Sequence, residues 1–417
     1  MQAPSLFDIE PVPGSVFIDN LMVSSADRLL STQYANLAEE PELRDPIVAS
    51  ALFSHDLINL AILLESIVCH NTVYVNAEFI DIWNKNIWQD SLQSLQGIVR
   101  PVVWPHEQRV DAERQLSHAL SSILSEASAI LGDNNSSFLG FFTDVIYRTS
   151  HKAYSYGHRL IEDKFFQQPL AHPWSSQHAV ILGAAFYLMC SQVIGVPYKP
   201  SILRAHILRK TIQREFRDRH FDAASIALDI LEQGRTSVTE QYFEKLLELN
   251  LVEATMPCML AAILKESKLP SDVLLLALQI RGSKEAIAFR DWSTEFSQTI
   301  QDGELMRIGV LYKEVEGIVR DVNRMLGITT DDNLAVTLGW GPVSLGRAFS
   351  LPKALQKPIR VKRHLWLLHN LYKELATMAR FSDHVERVLL SNLPDWFRPD
   401  IPGESVWGSL RTYLRYD

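Results

Sequence analysis

The stretch that decides the fold runs from Asp45 to Val68 and reads DPIVASALFSHDLINLAILLESIV. Its apolar residues recur at three- and four-residue spacings, which is the period of an α-helix. They cover nearly the whole circumference of that helix, whereas a surface helix keeps one polar face. We therefore predict that this helix lies at the centre of the fold.

Two strand-like pieces flank the central helix. Ser15 to Ile18 reads SVFI and Thr72 to Val75 reads TVYV, and both are rich in the β-branched and aromatic residues that strands favour. We expect them to form a small β element near the N-terminus. A third short run, Ala335 to Leu338, has the same character, so strand is expected only near residues 15–20, 72–80 and 334–338.

Helical spacing dominates the rest of the chain, for example over Ser201 to Arg217 and Pro257 to Glu266. The predicted fold class is therefore predominantly all-α, an irregular multi-helix assembly with helix in well over half of its residues. Paired prolines near Gln167 to Pro173 suggest a domain boundary, because they stop helices. The two regions would be residues 1–168 and 169–417, and a single body is the alternative.

A helical hairpin is predicted over about residues 283–326. Ser283 caps its first helix, Asp302-Gly303 makes the turn, and the second helix runs from Leu305 to Met325 with near-heptad apolar spacing. The apolar face of the first helix is formed by Phe289, Trp292, Phe296 and Ile300. The hairpin is either an internal helix pair or a projecting arm that dimerises.

Composition excludes several classes of protein. The 417 residues are 47% apolar and 21% charged, which is typical of a soluble globular protein and not of a disordered chain. A net charge of −9 excludes an overall basic coat for nucleic acid. Cys69, Cys190 and Cys258 lie far apart in apolar runs, and the first residues carry no secretory pattern, so we expect a cytoplasmic protein.

One other stretch, Ala179 to Val196, approaches the length of a membrane-spanning helix. Ser191 and Gln192 interrupt it, prolines border it, and no Lys or Arg cluster anchors its ends. We predict a buried core helix and no membrane partner.

Motifs for metal or cofactor binding are missing from the sequence. No H-E-x-x-H, E-x-x-H or C-x-x-C is present, so no metal and no cofactor are expected. The segment from Leu338 to Phe349, LGWGPVSLGRAF, has the glycine spacing of a phosphate loop, yet Arg347 and Ala348 replace its lysine and hydroxyl residues. A nucleophile elbow around Ser344 would need glycine at Pro342. We expect a glycine-rich loop that enters a helix.

Basic segments stand out in this acidic chain. On the helix predicted from Ser201, four residues fall within a stripe of about 80° at 100° per residue. A second basic cluster follows Pro358. These are the predicted anion-binding residues, and solvated faces are the alternative reading: His206, Lys210, Arg214 and Arg217 in the first cluster, and Arg360, Lys362 and Arg363 in the second.

Two arginine–histidine pairs are candidates for acid–base catalysis on phosphate, Arg214 with His220 and Arg363 with His369. A third pair, Arg100 with His106, lies in a proline-bearing stretch. About 2.4 such pairs arise by chance at this composition, so the pattern does not establish an enzyme.

Two functions therefore stay open at the level of sequence. The first is a helical interaction or regulatory protein that binds a protein partner or a second copy of itself through helical surfaces. The alternative is a metal-independent enzyme that acts on a phosphate-bearing substrate such as RNA or a nucleotide.

Overall fold

The computed structural model describes residues 5, 8–31, 44–77, 95, 97–103, 183–184, 187, 190–191, 193–205, 252–254, 257–301, 307, 310, 338–340, 343–344, 367 and 381–393. Of this part of the chain, 69% is helical. The predicted helical character is confirmed at that level, but the β structure is larger than predicted.

A four-stranded parallel sheet lies near the N-terminus. Its strands are β1 (Val16–Ile18), β2 (Val73–Asn76), β3 (Val99–Val102) and β4 (Tyr198–Lys199), in the order β3-β2-β1-β4. In the register, Phe17 lies beside Tyr74 on one side and Tyr198 on the other. Every residue of β1 is buried, as expected for a parallel strand covered on both faces.

The prediction of a small β element was therefore right about β1 and β2 and wrong about its extent. β3 contains Pro101 and β4 lies between Pro197 and Pro200, and neither segment is among those predicted to be strand. Proline is tolerated in β3 because that strand lies at the edge of the sheet as described.

Two described helices follow β1 and precede β2 in the chain. Helix α1 (Asn20–Leu30) is buried along its whole length, and α2 (Pro46–Cys69) is the predicted central helix. α2 contacts α1 and also the later helices α3 (Pro257–Glu266), α4 (Pro270–Arg281) and α5 (Lys284–Gln301). Its central position is therefore confirmed.

Two segments of this chain have the apolar composition of membrane-spanning helices. α2 from Val48 to Cys69 is long and apolar enough to cross a membrane, but 94% of that window is buried inside the protein. In the stretch from Ala179 to Val196, the described residues Ala184, Tyr187, Cys190 and Ile194 are also buried. α2 therefore has the burial of a core helix, whereas the second stretch also contains an exposed apolar residue, Val193 at 39%.

α3, α4 and α5 pack against α2. α3 has the bounds predicted for it, and α6 (Phe381–Val388) packs on α3. Arg387 of α6 donates hydrogen bonds to the carbonyls of Leu264, Lys265 and Ser267 at the end of α3, at 3.1, 2.9 and 3.2 Å. Cations at a helix C-terminus stabilise its unpaired carbonyls.

The first helix of the predicted hairpin is α5. Ser283 caps it as predicted, because the Ser283 Oγ accepts a hydrogen bond from Ala286 N at 3.1 Å. Phe289 and Trp292 are buried with their ring centroids 5.6 Å apart. The turn and nearly all of the second helix lie outside the described residues.

The glycine-rich segment forms part of a small antiparallel sheet. Its strands are β5 (Val252–Ala254), β6 (Leu338–Trp340) and β7 (Val343–Ser344), in the order β5-β6-β7. Trp340 pairs with Val343. Residues 345–349, where we predicted entry into a helix, lie outside the described part of the chain.

The predicted domain boundary between residues 168 and 169 lies outside the described part of the chain. β4 belongs to the second predicted region, and it pairs with β1 of the first.

Candidate functional site at the carboxyl edge of the parallel sheet

The order of the strands in the sheet reverses between β1 and β4, and we call this position the switch point. The chain steps in one direction from β1 to β2 to β3 and then crosses to the other side of β1 to form β4. Open parallel sheets bind ligands outside the carboxyl ends of their strands at such a reversal. The residues that follow the two strands, Asp19 and Asn20 after β1 and Ser201 after β4, therefore define the candidate site.

The carboxylate of Asp19 links the residues that follow β1 to β4 and the residues after it. Its Oδ1 accepts a hydrogen bond from Leu21 N at 2.9 Å and pairs with Arg204 Nη1 at 3.1 Å. Its Oδ2 accepts from the Tyr198 hydroxyl at 2.7 Å and from Ser201 N at 2.8 Å. A carboxylate offers about four acceptor positions, so these four donors use its capacity. Asp19 holds β1 and β4 together and caps α1.

The guanidinium of Arg204 is enclosed on several sides. Besides Asp19, Nη1 donates to Asn20 Oδ1 at 2.8 Å, and the guanidinium carbon lies 4.9 Å from the centroid of the Tyr187 ring. Gly183 makes room for it, because a Cβ at that position would lie 2.9 Å from the Arg204 Cζ. Arg204 is 1% exposed, so it is a buried, oriented cation at the switch point.

The hydroxyls at the site differ in their bonding. Burial raises the pKa of Tyr198 well above its ordinary value, and the negative charge of Asp19 raises it further, so Tyr198 stays a proton donor to Asp19. Ser201 Oγ is a fully buried oxygen with no hydrogen-bond partner among the described residues. Buried polar groups are nearly always paired, so this oxygen has capacity for one further bond.

A second polar network supports the helical turn at residues 202–205. Asn59 Oδ1 accepts from Ile202 N at 3.0 Å, and Asn59 Nδ2 donates to Ser25 Oγ at 3.0 Å. The same amide nitrogen lies 3.1 Å from His55 Nε2, while His55 Nδ1 lies 3.0 Å from Asp56 Oδ1. With an amide donor against Nε2 and a carboxylate against Nδ1, this network assigns the proton of the neutral ring to Nδ1.

Asp56 is in turn paired with Arg28 in two places, Nε to Oδ2 at 2.7 Å and Nη2 to Oδ1 at 2.6 Å. Burial by itself would raise the pKa of Asp56, but the charge and hydrogen bonds of Arg28 and the contact with His55 outweigh it. The pKa of Asp56 therefore lies well below its usual range. Such a bidentate pair fixes the geometry of both groups.

A further buried ion pair lies on the helix-facing side of the sheet. Lys199 Nζ of β4 donates to Glu65 Oε2 of α2 at 3.0 Å, and both side chains are almost fully buried. Burial raises the pKa of the neighbouring Cys69 thiol to about 12 and lowers the pKa of His70 to about 3, with Lys199 adding to the shift at His70. Cys69 is therefore a thiol and His70 a neutral imidazole at pH 7.

The anion-binding and catalytic residues predicted from sequence all lie outside the described residues: His206, Lys210, Arg214, Arg217, His220, Arg360, Lys362, Arg363 and His369. Of the third arginine–histidine pair, only Arg100 is described; it lies on β3 and is exposed. Within the described ranges, no group of three or more His, Cys, Asp and Glu could hold a metal ion.

The network around Asp19 was missed because its members are far apart in sequence. Asp19 and Ser201 are 182 positions apart, and no spacing rule connects them. Each of the two segments did carry a local signal. Asp19 is a polar residue that directly follows a strand-like run, and Ser201 directly follows a segment with two prolines.

Comparisons with family models, with curated protein sequences and with solved structures returned no match to this chain.

Proposed function

We propose that this chain binds a phosphate-bearing ligand, such as RNA or a nucleotide, at the carboxyl edge of its parallel sheet and along the helix that follows β4. The single observation that carries the proposal is the position of that helix. Residues 202–205 are helical, and this helix begins directly at the switch point. There the side chains of Asp19 and Asn59 accept hydrogen bonds from the backbone amides of Ser201 and Ile202.

The sequence that follows residue 205 supports the proposal. His206, Lys210, Arg214 and Arg217 recur at helical spacing and would share one stripe of about 80° on a regular helix. A row of Lys, Arg and His side chains along one face of a helix is suited to contact successive phosphates.

A reaction on the bound ligand is a separate step of the proposal. Arg214 with His220, and Arg363 with His369, are the pairs that would orient a phosphate and transfer a proton without a metal. Nuclease activity that survives both His220→Ala and His369→Ala would remove these histidines from the mechanism while leaving the binding proposal intact.

Binding is tested with a fluorescently labelled single-stranded RNA at low and rising salt. The logarithm of affinity should fall linearly with the logarithm of salt, by about 0.7 for each phosphate contact. The double substitution Lys210→Glu with Arg214→Glu should remove most of this salt-dependent part.

The matched control carries the same charge change at exposed sites elsewhere, Lys268→Glu with Lys284→Glu. It should leave RNA binding within about twofold of the native protein if the stripe is the site. Equal losses in the two double variants, or no RNA binding by the native protein at low salt, would contradict the proposal.

A second candidate function is an interaction protein that associates through helical surfaces. Leu275 of α4 and Ile287 of α5 are large apolar side chains left exposed, and Leu269 before α4 is exposed too. Phe289 and Trp292 are buried, which favours an internal helix pair over a projecting arm for the predicted hairpin. A dimer by light scattering that Ile287→Lys converts to monomer would support this function, and a monomeric native protein would remove the homo-oligomer.

We propose the cytoplasm as the location for both functions. Cys69 and Cys190 are buried and neither forms a disulfide, which suits a reducing compartment.

A further inference from the structure

A cavity of about 540 Å³ lies on the other side of β1 from the switch point, between the N-terminal segment and strands β2 and β3. Residues 8–13 form one wall, and Tyr74, Arg100 and Val102 form the other. Tyr74 pairs with Arg100 in the sheet, and Val102 lies two residues further along β3, so the three side chains share one face. The volume is that of a small-molecule pocket.

The N-terminal wall is tied down at both ends. Ser5 forms a parallel bridge with Val103, and Val12 N donates to the Tyr74 hydroxyl at 3.4 Å. Asn71 Nδ2 donates to the Pro13 carbonyl at 2.8 Å. The chain then turns into β1 at Gly14, whose φ of 72° suits glycine. The cavity is therefore bounded by a tethered segment.

Charges of both signs surround the cavity. Asp8 and Glu10 lie on the N-terminal wall and Arg100 lies on β3, and all three are exposed. None of the three side chains forms an ion pair with another described residue. Ile9, Val12 and Val102 supply apolar contact between them. The cavity thus offers two carboxylates and one guanidinium with free bonding capacity.

We propose that this cavity binds a free basic amino acid, with the chemistry of lysine. Such a molecule carries two ammonium groups and one carboxylate, the complement of two carboxylates and one guanidinium. Arg100 takes the ligand carboxylate, because a guanidinium fork matches that group. Asp8 and Glu10 take the ammonium groups, and the methylene chain lies on the apolar wall. A nucleotide is disfavoured here, since the two carboxylates repel its phosphates.

The test is calorimetric titration of the full chain with lysine, cadaverine and norleucine. Cadaverine has both amines but no carboxylate, and norleucine lacks the side-chain amine. Lysine should bind more tightly than either, by about two- to fivefold, because exposed ion pairs contribute up to about that factor each. Binding should weaken as salt rises.

Variants of the three charged residues test which group of the ligand each residue contacts. Arg100→Gln should weaken lysine binding by about two- to fivefold and abolish the preference for lysine over cadaverine. Asp8→Asn with Glu10→Gln should abolish the preference for lysine over norleucine. Lys268→Gln, an exposed change far along the chain, is the control and should change nothing.

Asp8, Glu10 and Arg100 are all exposed, so their variants should keep the native fold, which circular dichroism checks. The proposal is overturned if the native protein shows no saturable lysine binding, or if Arg100→Gln retains the full preference for lysine over cadaverine. Because none of these residues belongs to the switch-point site, RNA binding should be unchanged in every variant.

Discussion

Replacing Asp19 by asparagine should destabilise the protein strongly while leaving its shape nearly unchanged. Asparagine caps helices as well as aspartate does, so the bond from Leu21 N to the retained oxygen should survive. The substitution removes the charge that neutralises Arg204, which is 1% exposed. It also places an amide group where Oδ2 accepts from Tyr198 and Ser201.

The magnitude follows from these lost contacts. Leaving a buried charge without its partner costs about 3–5 kcal/mol. The Tyr198 hydroxyl can rotate to accept from the new amide, but Ser201 N cannot, and an orphaned buried N–H costs about 1–3 kcal/mol. The two losses occur in one network and are not additive. We expect Asp19→Asn to lower the free energy of unfolding by about 4 kcal/mol, a large part of the roughly 5–15 kcal/mol typical of a domain.

Urea denaturation followed by circular dichroism measures this loss. Asp291→Asn is the control, because Asp291 is exposed on α5 and its change should cost at most about 0.5 kcal/mol. The double variant Asp19→Asn with Arg204→Met should be less destabilised than the sum of its singles, by about 2 kcal/mol, since it contains no unpaired cation. A cost below about 1 kcal/mol for Asp19→Asn, or strict additivity in the double variant, would refute the reasoning.

Two further predictions concern packing and acid stability. Gly183→Ala should lower the free energy of unfolding by about 1–3 kcal/mol in thermal or urea unfolding, because its Cβ would press on the fixed guanidinium of Arg204. Gly282→Ala is the control, since its Cβ would meet only ordinary contacts at 3.5 Å or more. Equal losses of stability in the two variants would contradict the predicted clash. The lowered pKa of His70, about 3 against an ordinary 6.5, means that only the unfolded chain takes up this proton as the pH falls between those values. The free energy of unfolding should therefore fall by up to about 1.4 kcal/mol per pH unit from this residue alone, and His70→Gln should flatten the measured pH dependence below 6.5; unchanged slopes in the two proteins would show that His70 titrates normally.

The local sequence pattern was sufficient to predict the elements whose surroundings are the same along their whole length. α2 is apolar on every side, and that property alone places a helix in the core. α3 was predicted at its observed bounds, and Ser283 was predicted as the cap that it forms. β1 and β2 are short but fully buried, so their apolar, β-branched composition predicted strands.

Local pattern failed for α1, where residues up to 20 had been assigned to a strand. Asn20 begins α1 because the Asp19 side chain accepts the amide of Leu21, a single side-chain hydrogen bond that ends the strand and starts the helix. Every α1 residue is buried, including Asp27 and Arg28. Burial of these polar residues is possible only because partners on other elements, such as Asp56 for Arg28, compensate for the lost hydration.

By itself, the sequence predicted the helical character of the described part of the chain, the central position of the segment around Asp45 to Val68, and the strands β1 and β2. These follow from the period and continuity of apolar residues, which are local properties. Only the tertiary structure decided that β3 and β4 join the sheet and that Asp19, Ser201 and Arg204 meet at its carboxyl edge. A two-residue strand and a salt bridge are specified by what lies beside them in space, and in this chain those neighbours are nearly half its length away in sequence.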